Sequence, residues 1–194
     1  MNSQPKILAF AGSLRKDSYN KKLVQIAAKG ARQAGALVTL VDLKDFAMPV
    51  FDQDVEAATG SPETATRLKS MMVAHDGLMI SAPEYNSSIT AVLKNTIDWV
   101  SRPAPNEPPL VAFQGKVAIL MSASPGALGG LRGLVTVRSI LGNIGVIVLP
   151  DQVAVPRGHE AFNADGSLKD PKQQATVEGL GQALAKFLAR LQKQ

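Results

Sequence analysis

Residues 7–23 read ILAFAGSLRKDSYNKKL. An apolar run from Ile7 to Ala11 stops at Gly12, and a helical pattern follows at once. Between them stand Ser13, Arg15, Ser18 and Asn20. A plain connector between a first strand and a first helix has no need of four such hydrogen-bonding groups. A helix start exposes unpaired N–H groups and the positive end of the helix dipole, so an anion is favoured there. Ser13 and Ser18 add hydroxyl donors, Asn20 adds an amide, and Arg15 adds a fork that can meet two phosphate oxygens at once. The patterns G-x-G-x-x-G and G-x-x-x-x-G-K-[ST] are both absent. A hydroxyl-rich loop suits a terminal phosphate monoester, whereas a pyrophosphate needs glycines for a closer backbone approach. The simpler reading is that Ser18 caps the helix, Gly12-Ser13 turns the chain, and Arg15 and Lys16 are solvated.

Working outward from this loop, five apolar runs appear in order: KILAFAG (6–12), ALVTLVD (36–42), GLMISAP (77–83), KVAILMSAS (116–124) and GVIVLPDQVAV (145–155). They are near-continuous, the mark of strands buried on both faces of a parallel sheet. Helical spacing lies between them. One stripe is Leu23, Ile26, Ala27, Ala31 and Ala34. Others are Ile89, Leu93, Thr96, Ile97 and Val100, then Leu134, Val137 and Leu141, and finally Leu180, Leu184, Phe187, Leu188 and Leu191. Residues 62–75 form a weaker helix with Pro62 in its first turn. Repeated strand–helix alternation predicts an α/β, flavodoxin-like, doubly wound five-stranded parallel sheet of order 2-1-3-4-5, with helices on both faces. Residues 1–194 read as a single domain. The stretches 101–116, with four prolines, and 156–171, with an Asp165-Gly166 turn, read as surface segments of it.

In this order, ligands bind beyond the carboxyl ends of the strands, at the loops after strands 1, 3 and 4. The second loop is PEYNSS (83–88). Pro83 holds Ala82 extended, and Ser87 or Ser88 is the expected cap of the helix that starts near Ile89. Backbone groups of such a loop can read the edge of a heterocycle, and Tyr85 can lie against or beside a ring; the plainer reading is a polar turn and cap. The third loop is SASPGALGG (122–130). Ser122 and Ser124 can donate hydrogen bonds, while Gly126, Gly129 and Gly130 leave room for a flat ligand or serve the turn alone. Trp99 and Arg102, at the end of the helix that follows the second loop, suit a subunit interface. The alternative is that Trp99 packs on the sheet.

The chain has 194 residues, no cysteine and a net charge of +5, with a pI near 9.6. No thiolate zinc site, disulfide framework or cysteine nucleophile exists. The scattered basic residues and few aromatics argue against nucleic acid as a partner. No apolar run approaches the roughly 20 residues that span a bilayer, and MNSQPKI lacks the pattern of a signal peptide. A cytoplasmic protein is expected. The only histidines, His75 and His159, fall outside the three loops, and no G-x-S-x-G elbow or H-E-x-x-H helix exists.

With GSLRKDSYN, PEYNSSITAVLKNTIDWVSR and SASPGALGG in view, the sequence resembles the NADPH-dependent FMN reductase family. These flavodoxin-like flavoproteins include quinone, chromate and azo-dye reductases. The resemblance implies bound FMN, with NADPH (or NADH) as co-substrate and a small-molecule electron acceptor: a quinone, azo dye, chromate or free flavin. Ser13, Arg15, Ser18 and Asn20 would hold the phosphate. Pro83, Glu84, Tyr85 and Asn86 would line the ring, largely through backbone groups, with Glu84 in contact rather than transferring protons. Ser124 and Gly126 would close the other side. No catalytic side chain and no metal is implied, and a homodimer or homotetramer is expected. The rival readings are a flavodoxin-like electron carrier without its own NAD(P)H oxidase activity, against which the net basic charge speaks, and a protein for another phosphorylated ligand.

Overall fold

The computed structural model describes residues 4–193, so the first residues of the stretch read for a signal peptide lie outside it. Five strands form one parallel sheet: β1 (Lys6–Ala11), β2 (Leu37–Asp42), β3 (Gly77–Ser81), β6 (Val117–Ala123) and β7 (Ile147–Val155). Their order is β2-β1-β3-β6-β7, which is the expected flavodoxin-like arrangement. The intervening β4 (Glu84–Tyr85) and β5 (Ser88–Ile89) pair with each other as a separate hairpin.

Successive strand residues face opposite layers. Ile7, Ala9 and Ala11 of β1 pack towards α1 (Tyr19–Gln33) and α7 (Pro171–Leu191), whereas Leu8 and Phe10 pack towards the other side. That second layer holds α3 (Glu63–Val73), α4 (Ala91–Val100) and α5 (Leu131–Asn143). A short exposed helix, α2 (Gln53–Thr59), starts at the Asp52 cap and was not foreseen from the apolar pattern because it buries nothing. Pro62 is the N-cap of α3 rather than part of its first turn.

Burial on both faces holds for β3 and β6 and for β1 beyond Lys6. It fails at the edges, where β2 and β7 leave Leu37 and Ile147 half exposed. A continuous apolar run does not distinguish a central strand from an edge strand. In β7 the register slips between the partners of Ala118 and Leu120. Pro150, which has no N–H to give, sits in the slipped stretch, a place edge strands tolerate.

Two surface segments reach further inward than expected. The proline-rich loop buries Ala112 and Phe113, and the 156–171 stretch forms α6 (Gly158–Ala161), a Phe162–Leu168 bridge and a buried Leu168. Trp99 is an interior residue with 1% of its surface exposed. Its indole N–H donates to the Pro49 carbonyl at 2.8 Å, and its ring meets Phe51 edge-on. Arg102 pairs with Glu56 at 2.8 Å. Trp99 is thus an interior residue that packs on the Pro49–Phe51 segment rather than on the sheet, while the Arg102 side chain stays 36% exposed.

Helices α1 and α7 approach backbone to backbone at two glycines. A Cβ on Gly181 would stand 1.9 Å from the Ala27 carbonyl oxygen, and one on Gly30 would stand 2.0 Å from that of Glu178. The neighbours are main-chain atoms and cannot step aside. Gly181→Ala should therefore destabilise the protein by about 3 kcal/mol, at the upper end of overpacking costs. Gly179→Ala, on the same helix with open space around it, should stabilise it by up to about 1 kcal/mol. Urea midpoints of the two variants check the pair.

Candidate functional site

The carboxyl ends of β1, β3 and β6 open into a shallow cleft. Its walls are Ser13, Arg15, Ser18, Tyr19, Asn20, Pro83, Glu84, Tyr85, Ala123, Ser124 and Pro125. Eight of the ten residues expected from the sequence thus come together, and Asn86 and Gly126 do not reach the walls. Tyr19 and Ala123 also line the cleft, as does Pro125, which offers no N–H to a ligand.

In the first loop, Ser18 is the N-cap of α1, but its hydroxyl makes no capping bond. It caps through its carbonyl, which accepts from the N–H groups of Lys21 at 3.1 Å and Lys22 at 3.3 Å, and the residue lines the cleft. The first turn of α1 contains no acidic residue, so nothing on the helix offsets its positive end. Arg15 is exposed, with only its backbone N–H tied, to the Ser13 hydroxyl at 3.3 Å. Asn20 is more committed than expected. Its side-chain oxygen accepts from the Ser81 hydroxyl at 2.8 Å and from the Ala123 N–H at 3.0 Å. Its amide donates to the Ala123 carbonyl at 2.8 Å, which leaves one N–H for a ligand. Lys21 reaches Asp42 at 2.5 Å. Burial pulls the Asp42 carboxyl up, but Lys21 and the Lys44 N–H outweigh it and hold it below its ordinary value.

In the second loop, Glu84–Tyr85 and Ser88–Ile89 pair antiparallel across Asn86 and Ser87, which have φ of 51° and 66°. Two successive left-handed residues make the tight hairpin turn that matches strand twist. This turn carries Asn86 to an exposed tip, away from the cleft wall. It also moves the helix cap. Thr90, not Ser87 or Ser88, caps α4, accepting from the Leu93 N–H at 3.3 Å while donating to the Gly12 carbonyl at 2.7 Å. A Thr directly before the apolar stripe was the signal that could have found it.

The Glu84 carboxylate turns towards α5. It accepts from the backbone N–H groups of Arg132 at 3.0 Å and Gly133 at 3.3 Å, and from the Arg132 guanidinium at 2.7 Å. Its side chain is 8% exposed against 59% for Arg132. Helix α5 has Gly130 at its N-cap and no side-chain cap of its own, so Glu84 caps it across 48 residues. The carboxylate is thus a clamp between the second and third loops.

In the third loop the glycines answer to the chain itself rather than to a flat ligand. A Cβ on Gly129, at φ 64°, would strike the β7 backbone at 2.7 Å. One on Gly130, at φ 94°, would stand 2.0 Å from the Ser122 hydroxyl. That hydroxyl is buried without a partner. Ser124 accepts from the Gly126 N–H at 3.2 Å, which curls Gly126 outward.

Neither histidine lines the cleft. His75 is held between the Met71 carbonyl at 2.6 Å and the Thr39 hydroxyl at 2.8 Å, and His159 is exposed beside Glu160. Among the described residues, no group of three acidic or histidine side chains could hold a metal.

Glu84→Ala removes a cap and an ion pair, while Arg132 can still be solvated. Stability should fall by about 1–3 kcal/mol. Glu84→Gln keeps an acceptor for the α5 N–H groups and should recover about half of the loss. Denaturant midpoints of the two variants, compared at constant slope, test the assignment.

The model of the NADPH-dependent FMN reductase family matches residues 5–160. The chain is 36% identical over 192 residues to an NAD(P)H-dependent FMN reductase of Pseudomonas aeruginosa, covering 98% of this chain and 99% of that protein. It is 34% identical over 141 residues to a quinone reductase of Escherichia coli, covering 73% and 71%. Among solved structures, FerB of Paracoccus denitrificans, a flavoenzyme NAD(P)H:(acceptor) oxidoreductase, matches at a TM-score of 0.79 and 29% identity, covering 96% and 98%. An archaeal flavodoxin, at a TM-score of 0.61 and 9% identity over 94% and 98%, shares the fold. The chain belongs to the NADPH-dependent FMN reductase family.

Proposed function

We propose that this chain is one FMN-binding domain and works as a cytoplasmic FMN-dependent NAD(P)H oxidoreductase for quinones or similar small acceptors. The observation that carries the reading is the anion cradle at the start of α1, set across one cleft from the Pro83–Tyr85 hairpin. The donor set fits FMN: a helix start without a side-chain cap bond, two buried serines and an exposed arginine fork suit a phosphate monoester. The chain's relatives in the family are reductases, which favours this reading over an electron carrier.

FMN, when bound, would supply the redox chemistry between NAD(P)H and the acceptor. The chain's part is to bind and orient. Ser13, Arg15 and Ser18 hold the phosphate, with the remaining Asn20 N–H. Pro83, Glu84 and Tyr85 present backbone along the ring's edge, and Ser124 bounds the far wall. Every acid in the cleft is engaged elsewhere, since Glu84 is bound to Arg132 and α5. No side chain is therefore assigned to proton transfer.

A homodimer or homotetramer is also proposed, with the exposed side of the hairpin and α5 as its contact. Tyr85, Leu128, Leu131 and Val135 are 56%, 50%, 42% and 63% exposed there, more apolar surface than a solvated helix face needs. Val135→Asp should shift the protein towards monomer at micromolar concentration. Light scattering that shows a monomer already in the wild type would remove the proposal.

The central test is Arg15→Ala. The purified protein should carry flavin absorbance and oxidise NAD(P)H with a quinone. The variant loses a charge-assisted contact worth roughly 1.5–3 kcal/mol, so FMN affinity should drop about tenfold to a hundredfold. Riboflavin, which lacks the phosphate, should be nearly indifferent. Equal weakening of both flavins would sink the phosphate assignment.

A further inference from the structure

We propose that residues 156–168 are a strap that sets the geometry of the anion cradle, with Phe162 and Gly158 as positioning residues that act through Tyr19. The inference rests on the reading of the first loop as the FMN phosphate site. The family match ends at residue 160, so Phe162 and Leu168 lie beyond it.

Tyr19 is the first residue of α1 and lines the cleft between Ser18 and Asn20. The Phe162 ring stacks on it at 5.9 Å with an interplanar angle of 6°. The Arg15 guanidinium lies 5.8 Å from the centre of the Tyr19 ring, within the range of cation–π attraction. Gly158 presses on the same ring: a Cβ there would stand 3.0 Å from Tyr19 Cδ2. The ring is therefore held by Phe162 and close to Gly158, and its face lies within cation–π range of the exposed Arg15 guanidinium. Among the described residues Arg15 has no carboxylate partner, so Tyr19 is the neighbour that restricts its fork.

The strap is anchored at both ends. Its start is tied to the third loop, with Gly158 N–H donating to the Ser124 carbonyl at 2.8 Å and Arg157 N–H to the Gly126 carbonyl at 3.3 Å. Arg157 adopts a left-handed φ of 49° to make this turn, a conformation that bulky residues hold only when the surroundings impose it. Its end is tied to the core by the buried Leu168, which bridges to Phe162. One segment thus braces the first and third ligand loops together. A fork already ordered on a fixed ring gives up less freedom when an anion arrives, so the strap should raise affinity for the phosphate and leave the rest of the ligand alone.

The test is flavin binding, read by fluorescence quenching as FMN and riboflavin are titrated into the full-length chain freed of flavin. Phe162→Leu keeps apolar bulk but loses the stack, and should weaken FMN about three- to tenfold while riboflavin changes by less than about twofold. Gly158→Ala pushes on the ring with Phe162 still in place and should act in the same direction. Phe162→Tyr restores a ring and should restore FMN affinity. A fall by the same factor for both flavins, or unchanged FMN affinity in both weakening variants, overturns the strap as a positioning device while wild-type preference for FMN over riboflavin keeps the phosphate site. A wild type with no such preference overturns the phosphate site and the strap with it.

Discussion

The site depends on one buried carboxamide. After β1 the chain turns to one face of the sheet and after β3 to the other, and the loops part there to leave a crevice. Strand-end backbone and hydroxyl groups at such a point lose their ladder partners. Asn20 fills the gap from the first turn of α1, taking the Ala123 N–H and carbonyl and the Ser81 hydroxyl together. Buried polar groups left unpaired would each cost about 1–3 kcal/mol. The same side chain therefore satisfies the ends of β3 and β6 and fixes where α1 begins, which decides where its free N–H groups point.

Two further bonds extend the bracing. Thr90 joins the start of α4 to the Gly12 carbonyl, and Glu84 joins the hairpin to the start of α5. The three ligand loops are thus fastened to one another by side chains rather than by their own turns. The electrostatic outcome is uneven. The acid of the second loop is compensated by Arg132 and a helix start, whereas Arg15 and Lys16 of the first loop, beside Asp17, are exposed and make no salt bridge among the described residues.

Much of this was legible beforehand, for identifiable reasons. The alternation of apolar runs and helical stripes is a property of burial, and burial decides strand order and layers, so β1, β3, β6, α1 and α7 appeared where the pattern put them. The three loops were legible because their side chains exceed what a connector needs. The purpose of individual residues was less legible. Glu84 reads as a loop acid until the 48-residue contact with Arg132 is known. Gly129 and Gly130 read as space for a ligand until Ser122 and the β7 backbone are seen to occupy that space. Trp99 reads equally well as interface or interior, because an aromatic at a helix end carries no sign of what covers it. The hairpin was hidden because Asn86-Ser87 is an uncommon way to make two left-handed residues in a row, where glycine is the usual marker.

A loop with few bonds of its own must take its order from elsewhere. Among the described residues the first loop has the Ser13–Arg15 contact and the helix bonds of the Ser18 carbonyl nearby, and its other supports come from Ser81, Thr90 and Ala123, far along the chain. Short-range signals such as caps and turn residues cannot encode supports of that kind. They exist only once the sheet has brought β3, β6 and the strap to the same end. It follows that the cradle forms with the tertiary fold and not before it. A bound anion that needs this geometry must then stabilise the whole fold by mass action, because it binds the folded chain and not the unfolded one. Asn20, bonded to the ends of β3 and β6, ties the start of α1 to the order of the sheet's carboxyl end.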